Sequence, residues 1–250
     1  MTPEIFLNKF NSVTLDEINE VNLLDRIDKK YTFEHNLLPD ILSKILPYYQ
    51  ILTINGKRVS RYETIYYDTP DYQMYTHHHN KKLNRNKVRC RTYLDSGIHF
   101  FEVKFKSNKG RTVKKRVIIP TNDPFASLQA AALLEKKTPY LLSDLQEAIR
   151  VNYNRITFAS NDMKERLTLD IGLTYNLNGT IKSFPGMIIA EVKQDKSGIS
   201  PFTDIMLSKR IKNISISKYC LGMASLVPGI KINNFKLKLH YVNKICNASA

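Results

Sequence analysis

Apolar and polar residues alternate with a period of two over much of the chain, which is typical of β-strands with one apolar face. The clearest alternation lies in residues 86–94, 98–107 and 111–119. The same pattern predicts strands over residues 26–34, 49–54, 59–69, 151–160, 165–173 and 186–194. An Asn55-Gly56 dipeptide favours a type I′ turn, so it predicts a hairpin between the segments that flank it.

Helical spacing of apolar residues appears between these strands. It predicts helices over residues 14–24, 36–46, 123–136, 139–149 and 202–209, and another that begins near Ser217-Lys218. Residues 71–82 are polar and irregular. Eight or more mostly antiparallel strands with several helices indicate an α+β fold. No repeat or Pro/Gly-rich linker divides the chain, so we expect a single domain over residues 1–250.

The net charge of the chain adds a prediction about its binding partner. The 250 residues carry 38 Lys and Arg against 23 Asp and Glu, a formal net charge of +15. Such an excess indicates an anionic partner, and nucleic acid, acidic lipid and polyphosphate would all satisfy it. No transmembrane segment or secretory signal is predicted, so we expect a cytoplasmic protein. Three cysteines without CxxC spacing favour reduced thiols over a disulfide framework.

The period of two also sorts the charged residues, because residues two apart in a strand share a face. Most charged positions fall on one face of their strand and apolar positions on the other, with Lys115 an exception. An ordinary antiparallel sheet with one solvated face would explain this pattern. A cavity lined by the charged faces would explain it too, provided that a bound polyanion neutralised the bases. The residues that share faces are Arg26, Asp28 and Lys30; Lys87, Arg89 and Arg91; Glu102, Lys104 and Lys106; Lys114 and Arg116; Arg166, Thr168 and Asp170; and Glu191 and Lys193.

Eight motifs in order resemble one known family. They are RIDKKY (26–31), RYETIYYDTP (61–70), KVRCRTY (87–93), FEVKFK (101–106), GRTVKKR (110–116), YNRITF (153–158), AEVK (190–193) and SKYCLG (217–222). Over about residues 24–227 the chain resembles the VTC domain, the polyphosphate polymerase domain of the vacuolar transporter chaperone family. That domain is part of the triphosphate tunnel metalloenzyme superfamily.

The resemblance implies an eight-stranded antiparallel β-barrel that forms a tunnel, with helices packed on its outside. It also implies transfer of the terminal phosphate of ATP to polyphosphate with a divalent cation, Mn²⁺ favoured and Mg²⁺ possible. By motif, Glu191 resembles the metal ligand. The residues that resemble phosphate ligands are Lys30, Arg89, Arg91, Lys104, Lys114, Arg155, Arg166 and Lys218. Their shared faces add Lys106, Arg116 and Lys193 to the predicted phosphate-binding set.

Four of these residues are our predicted catalytic set: Lys218, Arg89, Arg91 and Glu191. Phosphoryl transfer mainly requires that the protein position the phosphate donor and neutralise its charge. Guanidinium groups, lysines and a bridging metal can meet both requirements. Asp170 and Glu102 either complete the shell of the cation or pair with tunnel bases. The chain departs from the superfamily pattern at its start, where hydrolases and cyclases carry ExExK and this sequence reads Arg26-x-Asp28-x-Lys30. A base replaces one carboxylate, which favours phosphate binding over metal chelation.

Alternatives to the polymerase remain open from sequence. A tunnel triphosphatase would use water as acceptor in the same site, and a polyphosphate-binding module would turn nothing over. Nucleic-acid binding lacks a familiar readout motif. The His77-His78-His79 triplet is left out of the metal prediction, because adjacent side chains in a loop rarely converge on one ion.

Overall fold

The computed structural model describes residues 3–20, 26–195 and 199–248. Within them the helices are α1 (Pro3–Leu7), α2 (Leu15–Glu20), α3 (Leu38–Ile45), α4 (Gln73–His79), α5 (Leu128–Lys137), α6 (Pro201–Ser208), α7 (Lys218–Leu226) and α8 (Lys236–Ala248). The strands are β1 (Ser12–Val13), β2 (Arg26–Glu34), β3 (Tyr49–Leu52), β4 (Ser60–Asp68), β5 (Arg85–Tyr93), β6 (Ile98–Lys106), β7 (Thr112–Ile119), β8 (Gln146–Ser160), β9 (Glu165–Leu177), β10 (Thr180–Phe184) and β11 (Met187–Asp195). The predicted α+β class is confirmed.

Eight strands form one continuous antiparallel path in the order β2-β11-β9-β8-β4-β5-β6-β7. The predicted barrel is wrong in one respect, because no backbone ladder between β2 and β7 is present in the described part of the chain. The free edge of β2 is instead taken by the segment before α7, where Tyr31 bridges Asn213 and the Ile214 amide donates to the Lys30 carbonyl at 2.7 Å. The charged side chains of β7 also disfavour pairing at the other edge.

The sheet nevertheless curls strongly. Lys30 on β2 and Lys104 on β6 stand six strand steps apart, which would be about 29 Å in a flat sheet. A segment of four residues nonetheless contacts both halves of the sheet, since the Ile214 amide donates to the Lys30 carbonyl on β2 and the Ser217 hydroxyl accepts from Lys87 on β5. The face that carries both lysines, which we call the inner face, is therefore concave.

The opposite, outer face is apolar and covered by helices, as predicted. Near β2, β9 and β11 it packs against α3 and α6 through residues such as Leu167, Ile188 and Ile41. Near β5 and β6 it packs against α5 through Val88, Phe101 and others. Burial of these side chains fixes which face of each strand turns outward, since a slip of one residue would expose them all.

One helix departs from the prediction that the helices lie outside. α7 packs against the inner face at one end of β8 and β9, in a cluster with Ile149 and Tyr175. The approach is close at Gly222, where an added Cβ would lie 2.3 Å from the Tyr175 ring and 2.6 Å from Ile149. α8 packs against β2 and β11, and its Tyr241 hydroxyl donates to the Thr32 carbonyl at 2.9 Å. One end of the inner face is thus occupied by a helix rather than left open.

Several predicted elements need correction. The predicted turn at Asn55-Gly56 is present, with positive φ at both residues and an antiparallel bridge between Ile54 and Lys57. The predicted hairpin does not extend beyond that bridge, because β3 and β4 both pair with the 15-residue β8, one after the other along its length. Residues 139–149 are not helical; they contain a short 3-10 turn and the start of β8. The irregular segment 71–82 contains α4, and β10 and α8 were not predicted. The predicted helix over residues 14–24 is α2 up to Glu20, and its remainder lies outside the described residues.

All three cysteines are free, and Cys90 and Cys220 are buried. Among the described residues no helix has the length and apolar character needed to cross a bilayer.

Candidate functional site

The predicted charged side chains meet on the inner face because the strand registers align them. Lys87, Lys104 and Lys114 stand opposite one another across β5, β6 and β7, and Arg89, Glu102 and Arg116 form the next row. On the other side of the sheet the aligned rows are Lys30, Glu191 and Thr168, and Asp170 with Arg155. Residues directly opposite in an antiparallel pair lie on the same face. The alternation seen in the sequence therefore identified one continuous surface.

Asp170 forms the tightest ion-pair cluster of that surface. Arg155 donates to both of its oxygens, from Nε at 2.6 Å and from Nη2 at 2.9 Å, and the Lys218 ammonium also binds it. The Asp170 side chain is 2 % exposed. Burial raises its pKa, but the charges of Arg155 and Lys218 outweigh burial and hold the pKa below the ordinary value. Asp170 thus fixes α7 to β8 and β9.

Glu102 has a similar environment on the other half of the inner face. It accepts from Arg89 Nε at 2.6 Å and from Lys114 Nζ at 3.0 Å, and its side chain is also 2 % exposed. Burial raises the pKa of Glu102, and the charges of Arg89, Arg91 and Lys114 more than reverse that shift. Of the two roles predicted for Glu102 and Asp170, pairing with bases is the one that the contacts favour.

Glu191 is held more loosely. Its nearest ammonium groups are Lys30 at 3.5 Å and Lys193 at 3.8 Å, both too long for strong hydrogen bonds, and its side chain is 20 % exposed. Burial raises the pKa of Glu191, while the nearby lysines lower it overall. It is therefore an ionised carboxylate whose oxygen atoms can still accept a ligand.

A divalent cation fits this carboxylate. No cluster of three or more acidic, histidine or cysteine side chains suited to a metal occurs among the described residues. Mg²⁺ and Mn²⁺, however, are commonly held by one or two carboxylates together with substrate phosphates. A single ionised, partly exposed glutamate on a surface rich in lysine and arginine is suited to that arrangement. Of the predicted metal ligands, Glu191 meets this requirement and Glu102 and Asp170 do not.

Other bases of the inner face have no hydrogen bond or ion pair to a carboxylate among the described residues. Arg91 is 8 % exposed and its Nε lacks a hydrogen-bond partner within the described part of the chain. Its guanidinium lies over the Tyr62 ring at 5.6 Å. Arg116 lies over Phe100 at 4.3 Å, and no ion pair involves Lys104 or Lys106 within the described ranges. These bases are available for an anion.

Lys104 shows how crowded the bases are. Burial of the ammonium, followed by the charges of Lys30, Lys87 and Arg89, lowers its pKa to about 7. The side chain as a whole still reaches solvent. Residues 77–116 carry 13 Lys and Arg against two Asp and Glu, so this part of the chain supplies most of the net charge. The two carboxylates leave most of the positive charge in this part of the chain uncompensated.

Arg166 takes a different position from the other predicted phosphate ligands. Its Nη2 donates to the backbone carbonyl of Ile18, at the end of the inner face away from α7. It therefore anchors the segment that contains α2, although its strand position is the predicted one.

Two residues of the site, Tyr153 and Ser217, were missed by sequence reasoning. The Tyr153 ring lies under Lys218 at 4.7 Å and under Arg155 at 5.5 Å, and its buried hydroxyl has no partner in the described ranges. Burial raises the pKa of this phenol, but the neighbouring positive charges bring it below its ordinary value. Ser217 caps α7 and accepts from Lys87 Nζ at 2.7 Å. Tyr153 stands two residues from Arg155, so the rule used for the charged residues could have found it.

Comparison with solved structures gives distant likenesses. A proposed adenylate cyclase from Vibrio parahaemolyticus is 15 % identical, with a TM-score of 0.44, over 77 % of this chain and 94 % of that one. A protein from Pyrococcus horikoshii OT3 is 14 % identical, with a TM-score of 0.46, over 80 % and 96 %. A proposed adenylyl cyclase from Hippeastrum, described as having a dominant triphosphatase activity, is 15 % identical, with a TM-score of 0.48, over 81 % and 98 %.

No curated protein matches the sequence. A family match is present, however, and it covers most of the chain. Residues 25–227 match the VTC domain, which includes every strand of the eight-stranded path and all of α7. The chain therefore belongs to the VTC domain family.

Proposed function

We propose that the protein is a metal-dependent polyphosphate polymerase that transfers the terminal phosphate of ATP to a growing polyphosphate chain on the inner face. The main observation in support is the set of buried donors that lack partners. Arg91 Nε and the Tyr153 hydroxyl are buried and unpaired among the described residues. Buried polar groups without partners are rare in native proteins and need a ligand or water to satisfy them. A chain of phosphates supplies both the charge and the acceptor oxygens.

Each base of the inner face is assigned a role in phosphate binding from its position. Arg91 and Arg89 lie on the same strand face, and guanidinium groups bind phosphate oxygens in pairs. Lys218 stands at the start of α7, where free backbone amides also favour an anion. Lys104, Lys114 and Arg155 add charge around the group that is transferred, which stabilises the developing negative charge without a protein nucleophile.

Glu191 would hold the divalent cation against the phosphates, with Mn²⁺ favoured and Mg²⁺ possible. When bound, the cation would neutralise charge on the bridging oxygens. Asp170 and Glu102 keep Arg155, Lys218, Arg89 and Lys114 in place by the ion pairs described above. We place the protein in the cytoplasm, where ATP is available.

A triphosphatase is the second candidate, and one observation favours it. The inner face is not closed by a ladder between β2 and β7, and both Lys104 and Glu191 reach solvent, so water could act as the acceptor. Purified protein incubated with ATP and Mn²⁺ distinguishes the two. The proposal expects polyphosphate chains that lengthen with time on a polyacrylamide gel, and ADP in equal amount to the phosphate incorporated. Orthophosphate without polyphosphate would indicate the triphosphatase.

A binding module without turnover is the third outcome of the same assay. It would bind long polyphosphate tightly and release neither ADP nor orthophosphate with any divalent cation. The variant Lys218→Ala serves as the control, because it should lose activity in the polymerase and in the triphosphatase alike.

A further inference from the structure

Three consecutive residues at the start of α7 are each bonded to a different part of the molecule. The first two, Ser217 and Lys218, reach side chains of the inner face, as described above. The third, Tyr219, donates the hydrogen of its hydroxyl to the Asp68 carboxylate at the end of β4. This third bond lies outside the rows of bases, so phosphate binding alone gives it no role.

Asp68 is a buried carboxylate that backbone amides already hold in place. It is 0 % exposed and accepts from the amides of Thr69 at 2.8 Å, Met74 at 2.9 Å and Tyr75 at 2.8 Å. Met74 and Tyr75 belong to the first turn of α4, so Asp68 joins the end of β4 to the start of that helix. The bond from Tyr219 therefore ties α7 to a point that is fixed independently of the inner face.

The bond between Tyr219 and Asp68 differs from the neighbouring bond of Lys218 in its relation to an anion. A phosphate that binds the Lys218 ammonium competes with Asp170 for the same group. Tyr219 is 1 % exposed and Asp68 is fully buried, so a phosphate on the inner face does not reach their bond. The start of α7 thus keeps this contact when Lys218 exchanges its carboxylate partner for a phosphate.

The ring of Tyr219 adds a second link to the inner face. It stacks on the ring of Tyr66, with the two centroids 5.0 Å apart. The Tyr66 hydroxyl in turn accepts from Arg89 Nη1 at 3.4 Å. A displacement of Tyr219 would therefore move the adjacent Lys218 directly and would alter the surroundings of Arg89 through Tyr66.

We propose that Tyr219 and Asp68 are positioning residues that hold the Lys218 ammonium where it binds a phosphate. The inference rests on the proposed function, because Lys218 acts on phosphate there. Neither of the two residues touches the anion. Their bond fixes the first turn of α7, one residue away from Lys218. Attraction between charges weakens with distance, so a shift of this turn lowers phosphate affinity although the charge of Lys218 is unchanged.

Removing one hydroxyl in two backgrounds tests the inference. Tyr219→Phe keeps the ring and its stacking, and it is compared with the wild type and, separately, within Lys218→Ala. Isothermal titration calorimetry with tripolyphosphate measures affinity in all four proteins. Tyr219→Phe should weaken binding at least about fivefold when Lys218 is present and less than about twofold in Lys218→Ala, since residues that act through one another are not additive.

Tyr75→Phe is the matched control. Tyr75 is also fully buried and its ring packs against that of Tyr219, but its hydroxyl donates to the Lys231 carbonyl at 2.8 Å. Both variants lose one hydrogen bond, so urea denaturation should show a similar loss of stability in each. Tyr75→Phe should nevertheless bind tripolyphosphate as the wild type does, which separates positioning of Lys218 from general stability.

Asp68→Asn approaches the same bond from its other end. It keeps the size of the side chain and removes the charged acceptor, so it should weaken binding with the same dependence on Lys218. An equal loss of affinity in both backgrounds, or wild-type affinity in Tyr219→Phe, would overturn the inference. Absence of tripolyphosphate binding in the wild type, or wild-type affinity in Lys218→Ala, would instead contradict the proposed function. These results are distinct because each comes from a different protein of the set.

Discussion

Two carboxylates of the inner face, Asp170 and Glu191, each have two cationic neighbours but very different surroundings. Asp170 has both oxygens occupied at hydrogen-bond distance and a side chain that is 2 % exposed. Glu191 has ammonium groups at 3.5 and 3.8 Å and a side chain that is 20 % exposed. The difference shows that charge composition does not decide the role of a carboxylate. Packing and distance make one a structural anchor and leave the other open to a metal.

The largest expected effect comes from removing the anchor. Asp170→Ala leaves Arg155 and Lys218 as partly buried charges without their partner, which typically costs about 3–5 kcal/mol of stability. Glu191→Ala removes only a loose, partly exposed pair, which contributes at most about 1 kcal/mol. Urea denaturation of both variants measures the two losses. Equal losses would mean that the two carboxylates play the same structural role.

Glu191 is expected to act directly on activity with a divalent cation. Glu191→Gln keeps the shape of the side chain and removes the charge that would hold the cation, so Mn²⁺-dependent turnover should fall about 100-fold. Tripolyphosphate binding without metal should be unchanged or tighter, because a negative charge has been removed. Steady-state assays over a range of Mn²⁺ concentrations, with calorimetry in chelator, separate the two effects. Wild-type Mn²⁺ dependence in this variant would contradict the assignment.

A smaller change should loosen the Asp170 cluster without touching its charges. In Gly222→Ala the added methyl group meets the Tyr175 ring and Ile149, so α7 must shift. Overpacking of this kind costs about 1–3 kcal/mol. Because Lys218 stands at the start of α7, tripolyphosphate affinity should fall together with stability. The double variant Gly222→Ala/Tyr175→Leu makes room for the methyl group and should recover part of both losses, which a double-mutant cycle measures.

The sequence predicted the shared inner face because alternation along a strand is a local property. The bases of β5 illustrate this, since Lys87, Arg89 and Arg91 share a face whatever the strand pairs with. Barrel closure was not predictable in the same way. The edge of β2 is taken by Asn213 and Ile214, which are about 180 residues further along the chain.

Contacts between residues far apart in the chain limited the prediction of other elements and of the site in the same way. The turn at Asn55-Gly56 forms, but the hairpin stops at the Ile54–Lys57 bridge because β8 is long enough to pair with both flanking strands. A local turn signal does not contain that competition. Residue types could not distinguish Asp170 from Glu191 either, because burial and distance depend on how α7 docks. Ser217 was recognisable as a helix start, but its contact with Lys87 joins two elements that are 130 residues apart.

The smallest expected effect is a change of tripolyphosphate affinity with pH, which depends on Lys104 and on its neighbour Glu191. Lys104 has its pKa lowered to about 7 by burial and by Lys30, Lys87 and Arg89, while Glu191 acts in the opposite direction. Because the residue as a whole is exposed, we expect Lys104 in the free protein to lose part of its charge between pH 6 and pH 8.5, rather than all of it. Bound phosphate favours the ammonium form, so tripolyphosphate affinity should fall as pH rises across this window. Lys104→Arg stays charged throughout.

The ratio of wild-type to Lys104→Arg dissociation constants cancels the titration of the ligand itself. We expect this ratio to rise about three- to tenfold between pH 6 and pH 8.5, less than a fully buried lysine would give because the side chain reaches solvent. Calorimetry in buffers of different ionisation enthalpy should also show more proton uptake on binding at pH 8 in the wild type than in Lys104→Arg. Glu191→Gln removes the charge that raises the pKa of Lys104, so it should move the midpoint of the profile to lower pH. A ratio that is flat with pH would mean that the ammonium of Lys104 lies in bulk solvent, outside the crowded rows of bases.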